Sequence, residues 1–79
     1  MSDWYLVIYD IKNNISPTQR RAIYRRLKDA CRKITAAGGE FQRIQMSVWK
    51  VKGKEHAYTL VNAIPAEYAI IHIFKVMPE

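Results

Sequence analysis

The pattern of hydrophobic and polar positions predicts a strand followed by a long helix. Residues 4–11 (WYLVIYDI) are rich in aromatic and β-branched side chains, which is typical of a strand. In segment 17–36, apolar residues recur at helical spacing, which predicts an amphipathic helix: Ile23, Leu27, Ala30 and Ile34. Ser16 and Gln19 form a capping-box pattern at the start of this helix, and Gly38-Gly39 ends it.

The second half of the chain predicts a strand, a short helix and a last strand. Segment 41–51 (FQRIQMSVWKV) alternates along its length and reads as one strand with two distinct faces. The alternation assigns Ile44, Met46 and Val48 to one face and Arg43, Gln45, Ser47 and Trp49 to the other. Residues 55–63 predict a short helix, and residues 68–76 predict the last strand.

This order of elements predicts a single α+β domain over residues 1–79, with an antiparallel sheet and both helices on one face. If segment 41–51 folds into two strands, the arrangement becomes a ferredoxin-like βαββαβ sandwich. Strand 4–11 is apolar on both faces, and the helices can cover only one of them. We therefore expect a homodimer in which a second copy covers the other face, although a long loop over a central strand would leave the same pattern.

The positive charge of the chain is concentrated in the first helix. The chain has 13 Lys and Arg against 7 Asp and Glu, a net charge of +6. Segment 18–35 holds seven basic residues and one acid, Asp29, so its charge equals the net charge of the whole chain. Solvated faces usually mix signs, so this one predicts phosphate contacts with RNA or DNA. The alternative is a face that only keeps the protein soluble. The predicted binding residues are Arg20, Arg21, Arg25, Lys28 and Arg32.

Other functional classes find little support in the sequence. Cys31 is the only cysteine, which excludes an intrachain disulfide. Its place beside the apolar stripe of the helix predicts a small core residue. The first residues lack the basic start and cleavage site of a signal peptide, and no apolar run is long enough to span a bilayer. These features predict a cytoplasmic protein without a membrane partner.

Asp10 is the residue whose position most requires an explanation. It ends the apolar run of strand 4–11, where a carboxylate is costly unless something pairs with it. The partner could be a capped turn, an arginine or a metal ion. Asn13 and Asn14 follow directly, so an Asx-type turn is the structural alternative to a functional role for Asp10.

Three segments resemble the small CRISPR-associated nuclease-like proteins, the non-integrase subunit of the spacer-acquisition complex. They are the strand end 9-YDI-11, the Arg20-Arg21 helix start and 43-RIQMSVWKV-51, with IIHIFKV at the place of the last core strand. Together they span nearly the whole chain. The resemblance implies a ferredoxin-like fold, a symmetric dimer, and an integrase subunit as a further partner.

The same resemblance implies a site at the dimer axis. The strand-end aspartates of the two copies, here Asp10, would face each other and hold a divalent metal, Mg²⁺ or Mn²⁺. Such a metal could support endonuclease cleavage of phosphodiesters. Tyr9 would flank Asp10, Arg20 and Arg43 would hold phosphates, and Ser47 and Trp49 would belong to the site or pack at the dimer interface.

Two other functions stay open at this point. The first is a non-catalytic DNA-binding scaffold for an integrase. The second is a toxin-like ribonuclease related to virulence-associated protein D, which shares the fold class. The sequence does not distinguish RNA from DNA as the bound nucleic acid.

Overall fold

The computed structural model describes residues 3–77, which form two helices and four strands. The first strand and first helix have their predicted bounds, whereas the second helix and last strand are shorter than predicted. The elements are β1 (Trp4–Ile11), α1 (Pro17–Ala36), β2 (Phe41–Gln45), β3 (Val48–Lys52), α2 (Lys54–Val61) and β4 (Ala69–Lys75).

The four strands form one antiparallel sheet with the order β2-β3-β1-β4. The doubly apolar β1 therefore occupies a central position, as a strand without a polar face requires. Each helix connects strands that are not neighbours in the sheet. This small α+β arrangement is consistent with a ferredoxin-like fold.

The prediction of one strand over residues 41–51 is wrong, because the chain turns back at Met46-Ser47 and forms a hairpin. Arg43 pairs with Trp49 and Gln45 pairs with Val48, so Ile44 is an extra residue in β2. No residue of the turn has a positive φ, so the turn is not one of the primed types that match strand twist. A bulge next to the turn supplies the twist instead.

The ends of α1 are formed by local signals that the sequence contains. The Ser16 hydroxyl accepts a hydrogen bond from the Gln19 amide, and the Gln19 side chain accepts one from the Ser16 amide. At the other end Gly38 has a φ of +78°, which favours glycine. The Gly39 amide then donates to the Ile34 carbonyl oxygen at 2.8 Å, which completes a Schellman motif.

The core lies between one face of the sheet and both helices. The side chains of Val7 and Tyr9 from β1 and of Trp49 and Val51 from β3 are buried there. The helices contribute the apolar stripe that the spacing predicted in α1, with Ala57 and Leu60 from α2. All the buried residues belong to this one cluster, which fixes both helices on the same side of the sheet.

Within residues 3–77 no helix lies over the other side of the sheet, which we call the open face. Ile8 lies at its centre, between Val48 of β3 and His72 of β4. Ile70 and Phe74 of β4 are more than half exposed. The open face comprises Trp4, Leu6, Ile8, Asp10, Val48, Lys50, Ile70, His72 and Phe74.

Candidate nucleic-acid interface

The basic side chains of α1 occupy the surface of the helix that lies outside the core. Every Lys and Arg of this helix is exposed, because the side that carries the apolar stripe packs into the core. We call this surface the basic face, and it comprises Arg20, Arg21, Arg25, Arg26, Lys28, Arg32 and Lys33.

Acidic groups neutralise little of the basic face. Asp29 approaches Arg32 at 3.8 Å, and both side chains are more than half exposed, so the pair contributes little energy. Within residues 3–77, no carboxylate comes within ion-pair distance of Arg20, Arg21 or Arg25. Their charges are available to an external anion, and a nucleic-acid backbone presents anions in a regular row.

Asp10 lies at the end of β1 on the open face, with Ile70 beside it on β4. It is exposed, and its carboxylate has no hydrogen-bond donor or basic partner among the described residues. The Asp10 carboxylate therefore does not cap a turn at Asn13 or Asn14, which was the structural alternative to a functional role. Residues 3–77 contain no group of three or more His, Cys, Asp or Glu side chains placed to hold a metal.

Tyr9 does not flank Asp10 as expected, because neighbouring strand residues point to opposite faces. Its side chain is buried under the helices, and its hydroxyl donates a 2.8 Å hydrogen bond to the Leu60 carbonyl oxygen. Burial raises the pKa of Tyr9 well above its usual value, and Cys31 raises it further. The position of Tyr9 gives it a structural role in joining β1 to α2.

The remaining predicted site residues do not converge on Asp10 within one protomer. Arg20 lies on α1, across the sheet from the open face. Arg43 and Trp49 share the helix-facing side of the hairpin, with the guanidinium 5.2 Å from the centre of the indole ring. Trp49 is 6% exposed and packs in the core of its own protomer, which does not support the alternative that it packs at the dimer interface.

Ser47 is the one predicted residue that lies next to the strand end carrying Asp10. It is half-buried in the hairpin turn, and its carbonyl oxygen accepts a 2.9 Å hydrogen bond from the Tyr9 amide. This bond attaches the turn to the end of β1. The backbone carbonyl of Ser47, and not its hydroxyl, therefore positions the end of the strand.

Sequence reasoning missed a groove between α1 and the β2–β3 hairpin, which we call the hairpin groove. It has a volume of about 590 Å³ and is lined mainly by apolar and aromatic side chains. Cys31 lies in it, where burial raises the pKa of its thiol and the charge of Arg43 partly offsets the increase. The spacing of Tyr24, Lys28 and Cys31 along one side of α1 was the available signal.

The fold and the charge distribution define a class: a small α+β protein that presents a strongly basic helix on one side and an uncovered sheet on the other. Among residues 3–77, neither helix has an apolar stretch long enough to cross a bilayer. Comparison of the sequence with models of known protein families gives no match. A search of curated proteins gives no match either.

Proposed function

We propose that the protein is a homodimer that binds nucleic acid through the basic face of α1. The observation that carries the proposal is the segregation of charge: seven exposed cations share one helix with a single acid. Five of the seven are arginines, whose planar guanidinium groups suit phosphate oxygens better than an ammonium does. The resemblance to the small CRISPR-associated nuclease-like proteins supports the same conclusion.

The homodimer is proposed to form through the open face. Ile8, Ile70 and Phe74 make that face too apolar to stay in water without cost, and no described element covers it. A symmetric pairing of two such faces would bury the same residues from both copies, as a two-fold interface requires. The short chain also supports association, since one small core supplies limited stability.

Asp10 belongs to the open face, so a two-fold pairing can bring together one carboxylate from each copy. Two carboxylates at close range repel each other unless a cation neutralises them. Oxygen ligands of this kind suit Mg²⁺ or Mn²⁺. Residues 3–77 of one protomer contain no group of three or more metal-binding side chains, so Asp10 fits a metal only as part of a site shared between two copies, where the ion would polarise a phosphodiester. On this basis the proposed activity is endonuclease cleavage of RNA or DNA.

A non-catalytic scaffold for a CRISPR integrase is the second candidate function. One observation favours it: two of the residues expected beside Asp10 do not lie there, since Tyr9 is buried under the helices and Arg43 lies on the other face. A scaffold would need the basic face and the dimer, but not a metal at Asp10. Nucleic-acid binding is common to both candidates, whereas cleavage distinguishes them.

The binding proposal is tested by the salt dependence of affinity for a duplex. The double substitution Arg21→Gln and Arg25→Gln removes two charges of the basic face that have no acidic partner. Each lost phosphate contact lowers the slope of log affinity against log salt by about 0.9 for duplex DNA. We expect the slope to fall by about 1.8.

The matched control replaces Lys12 and Lys54, which are exposed outside α1, with glutamine. Both double variants lose two positive charges, so a general charge effect would lower the slope equally in each. An equal fall in the two variants, or no fall in either, would reject the basic face as the binding surface.

A further inference from the structure

The hairpin groove is bounded by aromatic side chains on both of its sides. Tyr24 lies on the α1 side, and Phe41 and Trp49 lie on the hairpin side. The rings of Phe41 and Trp49 are 5.8 Å apart and tilted by 52°, so they form an angled apolar wall. Aromatic walls of this kind bind the flat faces of nucleic-acid bases without regard to sequence.

Cations lie along the same groove. Lys28 and Arg43 belong to its lining, and a second depression of about 430 Å³ shares Lys28 and Phe41 with it and adds Arg32. The lining of neither depression includes an acidic side chain. The groove and the adjoining depression therefore combine apolar side chains with cationic ones, which complements a base attached to a phosphate.

Trp49 supplies a separate indication of a missing partner. Its indole Nε1 is buried and has no hydrogen-bond acceptor among the described residues. Buried N–H groups in folded proteins are nearly always paired, so an unpaired one in a residue that lines a groove points to a ligand that brings an acceptor. Base carbonyl oxygens and ring nitrogens are acceptors of the required kind.

Arg43 covers the face of Trp49 without being held firmly. Its guanidinium lies 5.2 Å from the ring centre, and its only hydrogen bond within residues 3–77 is to the Met46 carbonyl oxygen at 3.4 Å, which is long for such a bond. Arg43 is exposed. A phosphate would be a stronger partner for it than this carbonyl, and its movement to the phosphate would uncover the indole ring.

We propose that the hairpin groove binds an unpaired nucleotide of a single strand. The base lies between Tyr24 and Phe41 and accepts a hydrogen bond from Trp49 Nε1, while its phosphates pair with Lys28 and Arg43. A duplex keeps its bases paired and stacked inside the helix, so it cannot fill the groove and uses only the basic face. The inference rests on the proposed nucleic-acid binding and assigns its preference for single strands.

The test uses Trp49 as its own reporter. The chain has two tryptophans, so the variant Trp4→Phe leaves Trp49 as the only one. It is titrated with an oligothymidylate of about twelve nucleotides and with a blunt duplex of the same length. We expect the single strand to quench Trp49 fluorescence and the duplex to leave it unchanged.

Substitutions in the groove give the second measurement. Tyr24→Leu combined with Phe41→Leu removes two stacking faces, and we expect single-strand affinity to fall about tenfold or more while duplex affinity stays within about twofold. Tyr58→Leu, at an exposed aromatic position on α2, is the matched control and changes neither affinity. If the groove variant fails to fold, the rate of Cys31 alkylation in the Trp4→Phe protein is measured instead. We expect the single strand to slow this alkylation and the duplex to leave its rate unchanged.

The outcomes separate this inference from the broader one. Single-strand binding without quenching or Cys31 protection, or with affinity insensitive to the groove variant, overturns the groove assignment. If Arg21→Gln and Arg25→Gln still weaken duplex binding, the proposed function stands without the groove. Absence of binding to both nucleic acids overturns the two proposals together.

Discussion

The hydroxyl of Tyr9 donates a 2.8 Å hydrogen bond to the carbonyl oxygen of Leu60 and so connects the central strand to the last turn of α2. Carbonyl groups in the last turn of a helix have no partner further along the helix, and here a buried side chain supplies one. The Ala63 amide donates to the same oxygen at 3.1 Å. Tyr9 thereby fixes the end of α2 against the sheet.

Tyr9→Phe is expected to lower the free energy of unfolding by about 1–2 kcal/mol. The variant removes this hydrogen bond and leaves the Leu60 carbonyl oxygen with the Ala63 amide as a remaining donor. Chemical denaturation at neutral pH measures the change. Nucleic-acid affinity and dimerisation should not change, since the hydroxyl is under the helices. A loss of binding in a variant of normal stability would contradict the structural role.

The raised pKa of Tyr9 predicts that the stability of the protein depends on pH. Burial raises the pKa of Tyr9 in the folded protein above its unfolded value, so its contribution to stability is complete below the unfolded pKa of about 10. The contribution is lost as the pH rises through about 10 towards the folded pKa, because the unfolded chain ionises first. Wild-type protein should lose more stability between neutral and strongly alkaline pH than Tyr9→Phe, as paired denaturation curves would measure. Parallel losses would contradict the prediction.

Gly39 is required by close packing at the end of α1. A Cβ at this position would lie 2.7 Å from Ile34 Cγ2 and 2.9 Å from the His56 ring. Gly39→Ala should therefore cost about 1–3 kcal/mol, as expected for an atom inserted into a packed site. The matched variant is Gly38→Ala, where a Cβ would meet no atom within 4 Å and the cost comes from the positive φ alone, about 1–2 kcal/mol. Thermal unfolding compares them, and a smaller cost at Gly39 would contradict the packing argument.

Phe74→Glu tests the proposed dimer. Phe74 is 54% exposed on the open face, so a charge there should leave the monomer folded but prevent a second copy from burying it. Sedimentation should show a wild-type dimer and a monomeric variant. Tyr58→Glu, on α2, is the control and should remain a dimer. A monomeric wild-type protein at micromolar concentration would reject the open face as the interface.

Asp10→Asn separates cleavage from binding. Asparagine matches aspartate in shape but lacks the charge that balances a divalent ion, so Mg²⁺- or Mn²⁺-stimulated cleavage should disappear while affinity and dimerisation persist. A gel assay of labelled RNA and DNA measures cleavage, and Lys12→Gln is the control that stays active. If wild-type protein cleaves neither nucleic acid with either metal and Asp10→Asn stabilises the dimer, the scaffold replaces the endonuclease.

The sequence by itself determined the elements whose signals are local. The capping box at Ser16, the Gly38-Gly39 end and the 3.6-residue period of Ile23, Leu27, Ala30 and Ile34 define α1, because each signal acts within one or two helical turns. The basic face follows from the same period, since any helix with that apolar stripe turns its cations outward. The position of Asp10 near the end of β1 could also be predicted from the sequence, because the end of an apolar run is a local signal.

Only the tertiary structure decided how the hairpin and the site are arranged. Segment 41–51 alternates without Gly, Pro or Asn, so nothing local marks the turn at Met46-Ser47, which forms because β3 pairs with β1 and leaves β2 at the edge. That pairing sends Arg43 and Trp49 towards the helices and away from Asp10. The direction of a strand side chain depends on which face the helices cover, and this depends on contacts between residues far apart in the chain. The hairpin groove depends on the same long-range contacts, because its lining comes from α1 on one side and from the β2–β3 hairpin on the other.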